Sequence, residues 1–254
     1  MPGSRIGHHV PIVWTETDVA AQLPSVHDPP DPNKTWRESA SLHDTTAHDQ
    51  PENLMRIGIF GGAFDPVHNG HLLLAEQCRE RCELDVVWFV PTRVPPHKPN
   101  TLSPGRVRVE MLELATAGIP EFLVKRIELD RDDVSWTVDT LRSIRKSNPD
   151  DELFLLIGGD TLNDLRTWRE PEAIADLATI VAVNRSGIVE SEADAVDASL
   201  LDRVRHVTMP GVALSATAIR DRVRAGRSIR FLVPRAVEQL IRERKLYAVQ
   251  ETPS

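Results

Sequence analysis

The sequence predicts an α/β protein: a doubly wound parallel sheet with helices on both faces and two further helices at the C-terminal end. Three observations predict it. From residue 54 onward, short apolar runs of strand length alternate with longer runs of helical period, as in parallel strands joined by crossover helices. The short runs are apolar throughout rather than alternately polar, which is how strands covered on both sides read. The first run ends in Gly61-Gly62 and leads to two histidines, which puts chemistry at the carboxyl end of a strand, where such sheets bind ligands.

The first 53 residues stand apart. They hold seven of the 19 prolines and five of the nine histidines, with eight acidic against three basic residues, a net of −5. Without a sustained apolar period this composition predicts a disordered or poorly ordered extension, 1–53, ahead of a single domain, 54–254. His8, His9, His27, His43 and His48 are irregularly spaced in a polar setting, so a metal site is not expected there.

Within the domain, Ile57, Ile59 and Phe60 form the first strand, and residues 72–82 the helix that follows the histidines. Residues 85–90 (Asp-Val-Val-Trp-Phe-Val) read as a buried strand. A helix over 104–117 is announced by Ser103 as N-cap and Pro104 at the first helical position. Strands are then predicted over 122–127, 153–157, 178–183 and 204–208, with helices over 136–146 and 172–178. Residues 186–202 are acidic and alanine-rich without a strong period, a variable surface segment or poorly ordered helix. Helices over 215–226 and 234–245 close the chain, the last with Ala236, Val237, Leu240 and Ile241 as an apolar stripe.

At 254 residues, 41% hydrophobic and 27% charged, the chain can bury a full core. No stretch approaches the ~20 apolar residues of a membrane span, and no secretory signal is apparent, so no membrane partner is expected. Cys78 and Cys82 lie four apart on one predicted helix face. They cannot build a disulfide framework, and a reducing cytoplasm fits. The net charge of −8 argues against a nucleic-acid partner held by its phosphates. The sequence is compatible with a homo-oligomer.

The run Arg56 to His71 carries most of the chemistry. Small residues after the strand let the backbone approach a phosphate chain. His68 and His71, at the start of the next helix, place both imidazoles on one side, beside a helix N-terminus that favours anionic oxygens. His-x-x-His alone could be half a metal site, yet no Cys or carboxylate lies at usable spacing, and no protein metal site is predicted. A second anion site is read at Leu214-Ser215-Ala216-Thr217-Ala218-Ile219-Arg220, hydroxyls at a helix start with an arginine one turn on. Pro95-Pro96-His97-Lys98 stiffens a loop that can deliver a lysine to phosphate, and Gly158-Gly159-Asp160 places a carboxylate at a strand end, where it can accept sugar hydroxyls. Arg185 follows another strand at the same rim.

Gly61-Gly62-Ala63-Phe64-Asp65-Pro66-Val67-His68-Asn69-Gly70-His71 resembles the signature of the HxGH nucleotidyltransferase superfamily, and within it the bacterial nicotinate-nucleotide adenylyltransferases. The likeness runs from about Met55 to the C-terminus. It implies a Rossmann-like fold and AMP transfer from ATP to nicotinic acid mononucleotide, giving deamido-NAD and pyrophosphate. His68, His71, Lys98 and Arg220 would be catalytic, with ATP held by Gly61, Gly62, Phe64, His68, His71, Gly159, Asp160, Arg185, Ser215, Thr217 and Arg220. The mononucleotide would meet Ala63, Lys98, Trp136, Thr137, Trp168 and Arg169, with Trp168 in the pyridine pocket. Mg²⁺ would arrive mainly bound to ATP phosphates. The chain departs from the family pattern at Ala216, where a serine is usual, and at Trp136, where a tyrosine is. A sister transferase with another phosphate acceptor and a non-catalytic nucleotide sensor are the alternatives.

Overall fold

A computed structural model describes residues 54–93, 102–132, 134–162, 164–185 and 202–248. In chain order these form β1 (Arg56–Gly62), α1 (Asn69–Arg81), β2 (Val86–Pro91), α2 (Gly105–Thr116), β3 (Phe122–Val124), α3 (Thr137–Ser147) and β4 (Glu152–Gly158). A one-turn α4 (Gly159–Leu162) and a 3-10 turn (Leu165–Thr167) precede α5 (Pro171–Leu177), β5 (Thr179–Arg185) and β6 (Val204–Met209). Two helices follow, α6 (Ala216–Arg224) and α7 (Arg235–Glu243).

The strands make one sheet of order β3-β2-β1-β4-β5-β6, parallel at every pairing. Side chains alternate across a strand, and here both sides are buried. Phe60, Phe154, Leu156, Val181, Val183 and Val207 join one apolar cluster with Leu74 and Cys78 of α1, Met111 and Leu112 of α2, Ile219 of α6, and Val237 and Ile241 of α7. Their strand neighbours Ile57, Ile59, Leu153, Leu155, Ile157, Ile180 and Ala182 are equally buried but outside that cluster. They lie on the opposite face with Val138, Leu141 and Ile144 of α3 and Ile174 of α5. The sheet is therefore doubly wound, with the α/β Rossmann-like architecture that the strand–helix alternation predicts.

The order reverses once. The chain moves outward from β1 to β2 and β3, then returns through α3 to lay β4 on the other side of β1. The carboxyl ends of β1 and β4 thus flank the switch point, where helices depart to opposite sides and leave a crevice. Both strands end in a glycine, Gly62 and Gly158.

Several boundaries differ from the periodicity. α1 begins three residues before the apolar run because its start is set by capping. β3 is only three residues long: the Lys125 N–H makes a last bond to Phe89 O at 2.9 Å, and the chain then leaves the sheet. Ser103 does not cap α2: Pro104 holds the cap position with no side-chain bond, and the Ser103 N–H donates to Asp65 Oδ2 at 3.0 Å. Cys78 and Cys82 are buried and unbridged; burial pushes the Cys78 thiol up to about 12, which suits packing and not reactivity. Residues 1–53 and most of 186–202 lie outside the described residues.

Candidate active site

β1 delivers the chain to the switch point, and the turn after it is tightly determined. Phe64 takes a left-handed backbone, φ 48°, with its ring fully buried, and the Asp65–Pro66 peptide is cis. A Cβ on Gly62 would come within 3.1 Å of the Phe64 ring, so a glycine lets this ring tuck back against the strand. His68 then caps α1. Its Nδ1 accepts the His71 backbone N–H at 3.3 Å, while His71 Nδ1 accepts the His68 N–H at 3.2 Å. This is a capping box built from two imidazoles instead of a hydroxyl and a carboxylate.

The reciprocal bonds fix chemistry as well as geometry. A ring nitrogen that accepts a backbone N–H carries no proton, so the neutral ring holds its hydrogen on Nε2. Two Nε2–H donors result, on rings stacked 3.6 Å apart and 16° from parallel. Gly70 protects the stack: a Cβ there would sit 3.1 Å from His68 Nδ1 and 3.2 Å from Cε1. His71 is further held edge-on by Phe64, 5.1 Å between centroids, and Phe60, 5.9 Å.

A buried polar hub supports the turn. Asp65, 2% exposed, accepts from Tyr247 Oη at 2.6 Å and from the Ser103 N–H, while its carbonyl accepts from Arg220 Nη1 at 2.7 Å. Arg108 is buried in α2 and donates to Ala63 O at 2.9 Å and Ser103 O at 3.0 Å. Burial lowers the Arg108 pKa, partly offset by the nearby Asp65 charge; burial together with that same charge pushes the Tyr247 phenol up. On α6, Ser215 Oγ accepts the Ala218 N–H at 3.2 Å as N-cap, and Arg220 Nη2 donates to Thr217 Oγ1 at 3.2 Å. Leu214 lies against Gly70, so the starts of α1 and α6 adjoin. His68, His71, Ser215, Thr217 and Arg220 thus gather around two neighbouring helix N-termini.

A cavity of about 260 Å³ opens on the other side of the β1 end. Gly61, Gly62, Trp136, Thr137, Trp168 and Arg169 line it, as do Thr92, Glu128 and Ser135. The missing side chain of Gly61 leaves open space: nothing lies within 4 Å of where its Cβ would be. Trp136 occupies the N-cap position of α3 with extended backbone, and Arg169 lies over its ring at 5.7 Å. Arg169 is also paired with Asp139 at 3.3 Å and Glu170 at 3.6 Å, and Arg142 with Glu170 at 2.6 Å. Hydrogen bonds within this network hold the Arg142 pKa up and the Glu170 carboxyl below the usual range.

The predicted residues therefore fall into two subsites that meet at Gly61 and Gly62. The cavity holds neither histidine, nor Phe64, Ser215, Thr217 or Arg220. Ala63 reaches the site through its carbonyl, which Arg108 occupies. Gly159 opens α4, and a Cβ on it would strike Asn184 Oδ1, which ties it to β5. Asp160 lies on α4 and Arg185 ends β5, but their side chains lie outside the described portion, and Lys98 lies outside it altogether. Among the described residues, no group of three or more His, Cys, Asp or Glu side chains could hold a metal ion. No helix there is long and apolar enough to cross a membrane.

Sequence reasoning missed Asp65, Arg108, Glu128 and Tyr247. Asp65 was in plain view inside the glycine–histidine run. The only tyrosine of the chain, Tyr247, stands 182 positions away, and nothing local pairs the two.

The cytidylyltransferase-like family model matches residues 59–222. A Thermus thermophilus protein named "probable nicotinate-nucleotide adenylyltransferase" is 48% identical over 193 residues, spanning 76% of this chain and all of its own length. An Exiguobacterium sibiricum protein of the same name is 43% identical over 197 residues, again 76% of this chain and all of its own. Among solved structures, Plasmodium falciparum nicotinic acid mononucleotide adenylyltransferase in complex with NaAD shares the fold, with a TM-score of 0.64 at 18% identity. That match covers 76% of this chain and 97% of that one.

Proposed function

We propose, since this chain belongs to the cytidylyltransferase-like family and within it to the nicotinate-nucleotide adenylyltransferases, that it transfers the adenylyl group of ATP to nicotinic acid mononucleotide, forming deamido-NAD and pyrophosphate. The observation that carries the reading in the structure is the stacked His68–His71 capping box at the switch point. It supplies two N–H donors on rigid rings at a helix start.

The mononucleotide phosphate oxygen attacks the α-phosphorus of ATP in line, and the bond to the β-phosphate oxygen breaks as pyrophosphate leaves. No protein nucleophile is needed; such chemistry depends on position and on donors aimed at developing charge. The Nε2–H groups of His68 and His71 hold ATP phosphate oxygens, and the rings cannot swing away because both Nδ1 atoms are tied to backbone. Arg220, braced on Asp65 O and Thr217, offers its remaining N–H groups to the departing phosphates, with Lys98 assigned to the same task. Gly61, Gly62 and Gly159 allow the nucleotide close to the backbone; Asp160 and Arg185 are assigned to it as well. The pyridine ring enters the cavity between Trp136 and Trp168, where Thr137 and Arg169 border it.

The donor set fits a metal that comes with its substrate. His68, His71, Ser215, Thr217 and Arg220 would hold the triphosphate, and Mg²⁺ brought in with ATP would supply neutralisation of its phosphate charge. The enzyme works in the cytoplasm on small molecules, without nucleic acid or membrane, and is compatible with a homo-oligomer. The test is pyrophosphate release with ATP and a panel of phosphate acceptors. Release that requires a pyridine mononucleotide supports the proposal. Release with a different acceptor, or ATP binding without turnover, would replace it by a sister transferase or a sensor.

A further inference from the structure

Residues 220–235 hold six arginines and one aspartate, a strongly basic stretch in a chain whose net charge is −8. The stretch starts inside the phosphate subsite, at Arg220, and runs outward along α6 to Arg235, the first residue of α7. Asp221 is taken by Arg224 at 2.6 Å, and Glu238, the next acid along, by Arg242 at 3.0 Å. Arg222 donates Nε to Ser228 O at 2.9 Å. Arg227, Arg230 and Arg235 are exposed, and their side chains meet no carboxylate among the described residues.

This stretch is strapped to the histidine pair. Asn69, the residue after His68, donates its N–H to Leu232 O at 3.0 Å and Nδ2 to Phe231 O at 2.7 Å. Phe231 meets these bonds with a left-handed backbone, φ 64°, and a ring that is 83% exposed. Arg230 is thereby held beside the start of α1. Unpaired cations on both sides of Phe231 oppose an apolar partner or a second copy at this place, since either would bury them or set them against their own kind. A small soluble polyanion meets no such cost.

We propose that Arg227, Arg230 and Arg235 are an electrostatic guide for ATP, drawing the triphosphate from solution to the rim of α1 and on to His68, His71 and Arg220. The inference rests on the ATP site proposed above. Exposed charges act on an approaching anion through water, with a reach of about 8 Å at physiological salt, and raise the rate of encounter without touching the reacting atoms. A local positive field matters here because the remainder of the chain is acidic and repels nucleotides. No bond forms or breaks in this step.

The experiment replaces all three arginines by glutamine, by glutamate or by lysine in the full chain. It measures kcat/KM for ATP from low to high NaCl, and the association rate of etheno-ATP, a fluorescent base analogue, by stopped flow. At low salt the glutamine variant is expected to lose roughly tenfold in both, the lower end of the range for steering by charge. Glutamate should lose more and lysine almost nothing, because charge rather than fork geometry carries the effect. Wild-type values should fall with salt and converge on those of the glutamine variant as screening grows. Its kcat at saturating ATP should stay within about twofold of the wild type, a split that a general structural fault would not give. Equal salt slopes for wild type and the glutamine variant, or a lysine variant as impaired as the glutamine one, would overturn the guide. A wild-type chain that released no pyrophosphate from ATP with any acceptor would overturn the function, and this inference with it.

Discussion

The histidine pair does two jobs with one side chain each. Each Nδ1 satisfies an amide at the start of α1, which a serine or glutamate could do as well, but only imidazole then retains a second ring donor. This explains the glycine between them. Gly70→Ala would press a methyl group on the His68 ring at about van der Waals overlap, and should lower kcat at least about tenfold while a thermal melt changes little. Asp65 is different, since its contribution is to the turn. Tyr247→Phe removes the phenol bonded to a buried carboxylate and should cost about 1–3 kcal/mol, read as a lower Tm or denaturation midpoint. The histidines were legible because the glycine–histidine run is contiguous and chemically unusual. Tyr247 was not, because its partner Asp65 stands 182 positions away and a lone tyrosine carries no local period.

At the scale of elements, apolar period located the strands and helices but not their ends. Five buried residues in a row mark β2 and β4 whatever follows, whereas α1 starts where His68 and His71 cap it, ahead of its first apolar residue. Ser103 shows the converse. A serine before a proline reads as a cap, yet here a buried aspartate from another segment takes its amide. Element packing also explains how the ring cavity keeps its shape. Asp139 and Arg142 of α3 are tied to Arg169 and Glu170 beside Trp168, so two walls of the cavity are joined by charge on an exposed surface. Exposed pairs contribute little to stability and are screened by salt. Glu170→Ala should therefore leave Tm nearly unchanged but raise KM for the mononucleotide a few-fold, on the order of a weakened surface pair. The wild-type KM should drift the same way with rising salt, and the variant's should not.

For the whole molecule, the alternation of strands and helices predicted the doubly wound sheet, but not which gap between strands would hold the site. That follows from the return through α3, which sets β4 beside β1 and brings two glycine-ended strands to one crevice. Every described site residue lies after residue 54, so a chain beginning there should retain full kcat and KM, checked by assaying it beside the intact protein. The division into two subsites, phosphates at the helix starts and a ring in the cavity, makes the roles separable by kinetics. The most direct measurement is kcat of purified His71→Ala with ATP and nicotinic acid mononucleotide both saturating. Loss of one preorganised donor to developing phosphate charge predicts a fall of roughly 10²–10³-fold. Turnover close to that of the wild type would contradict it.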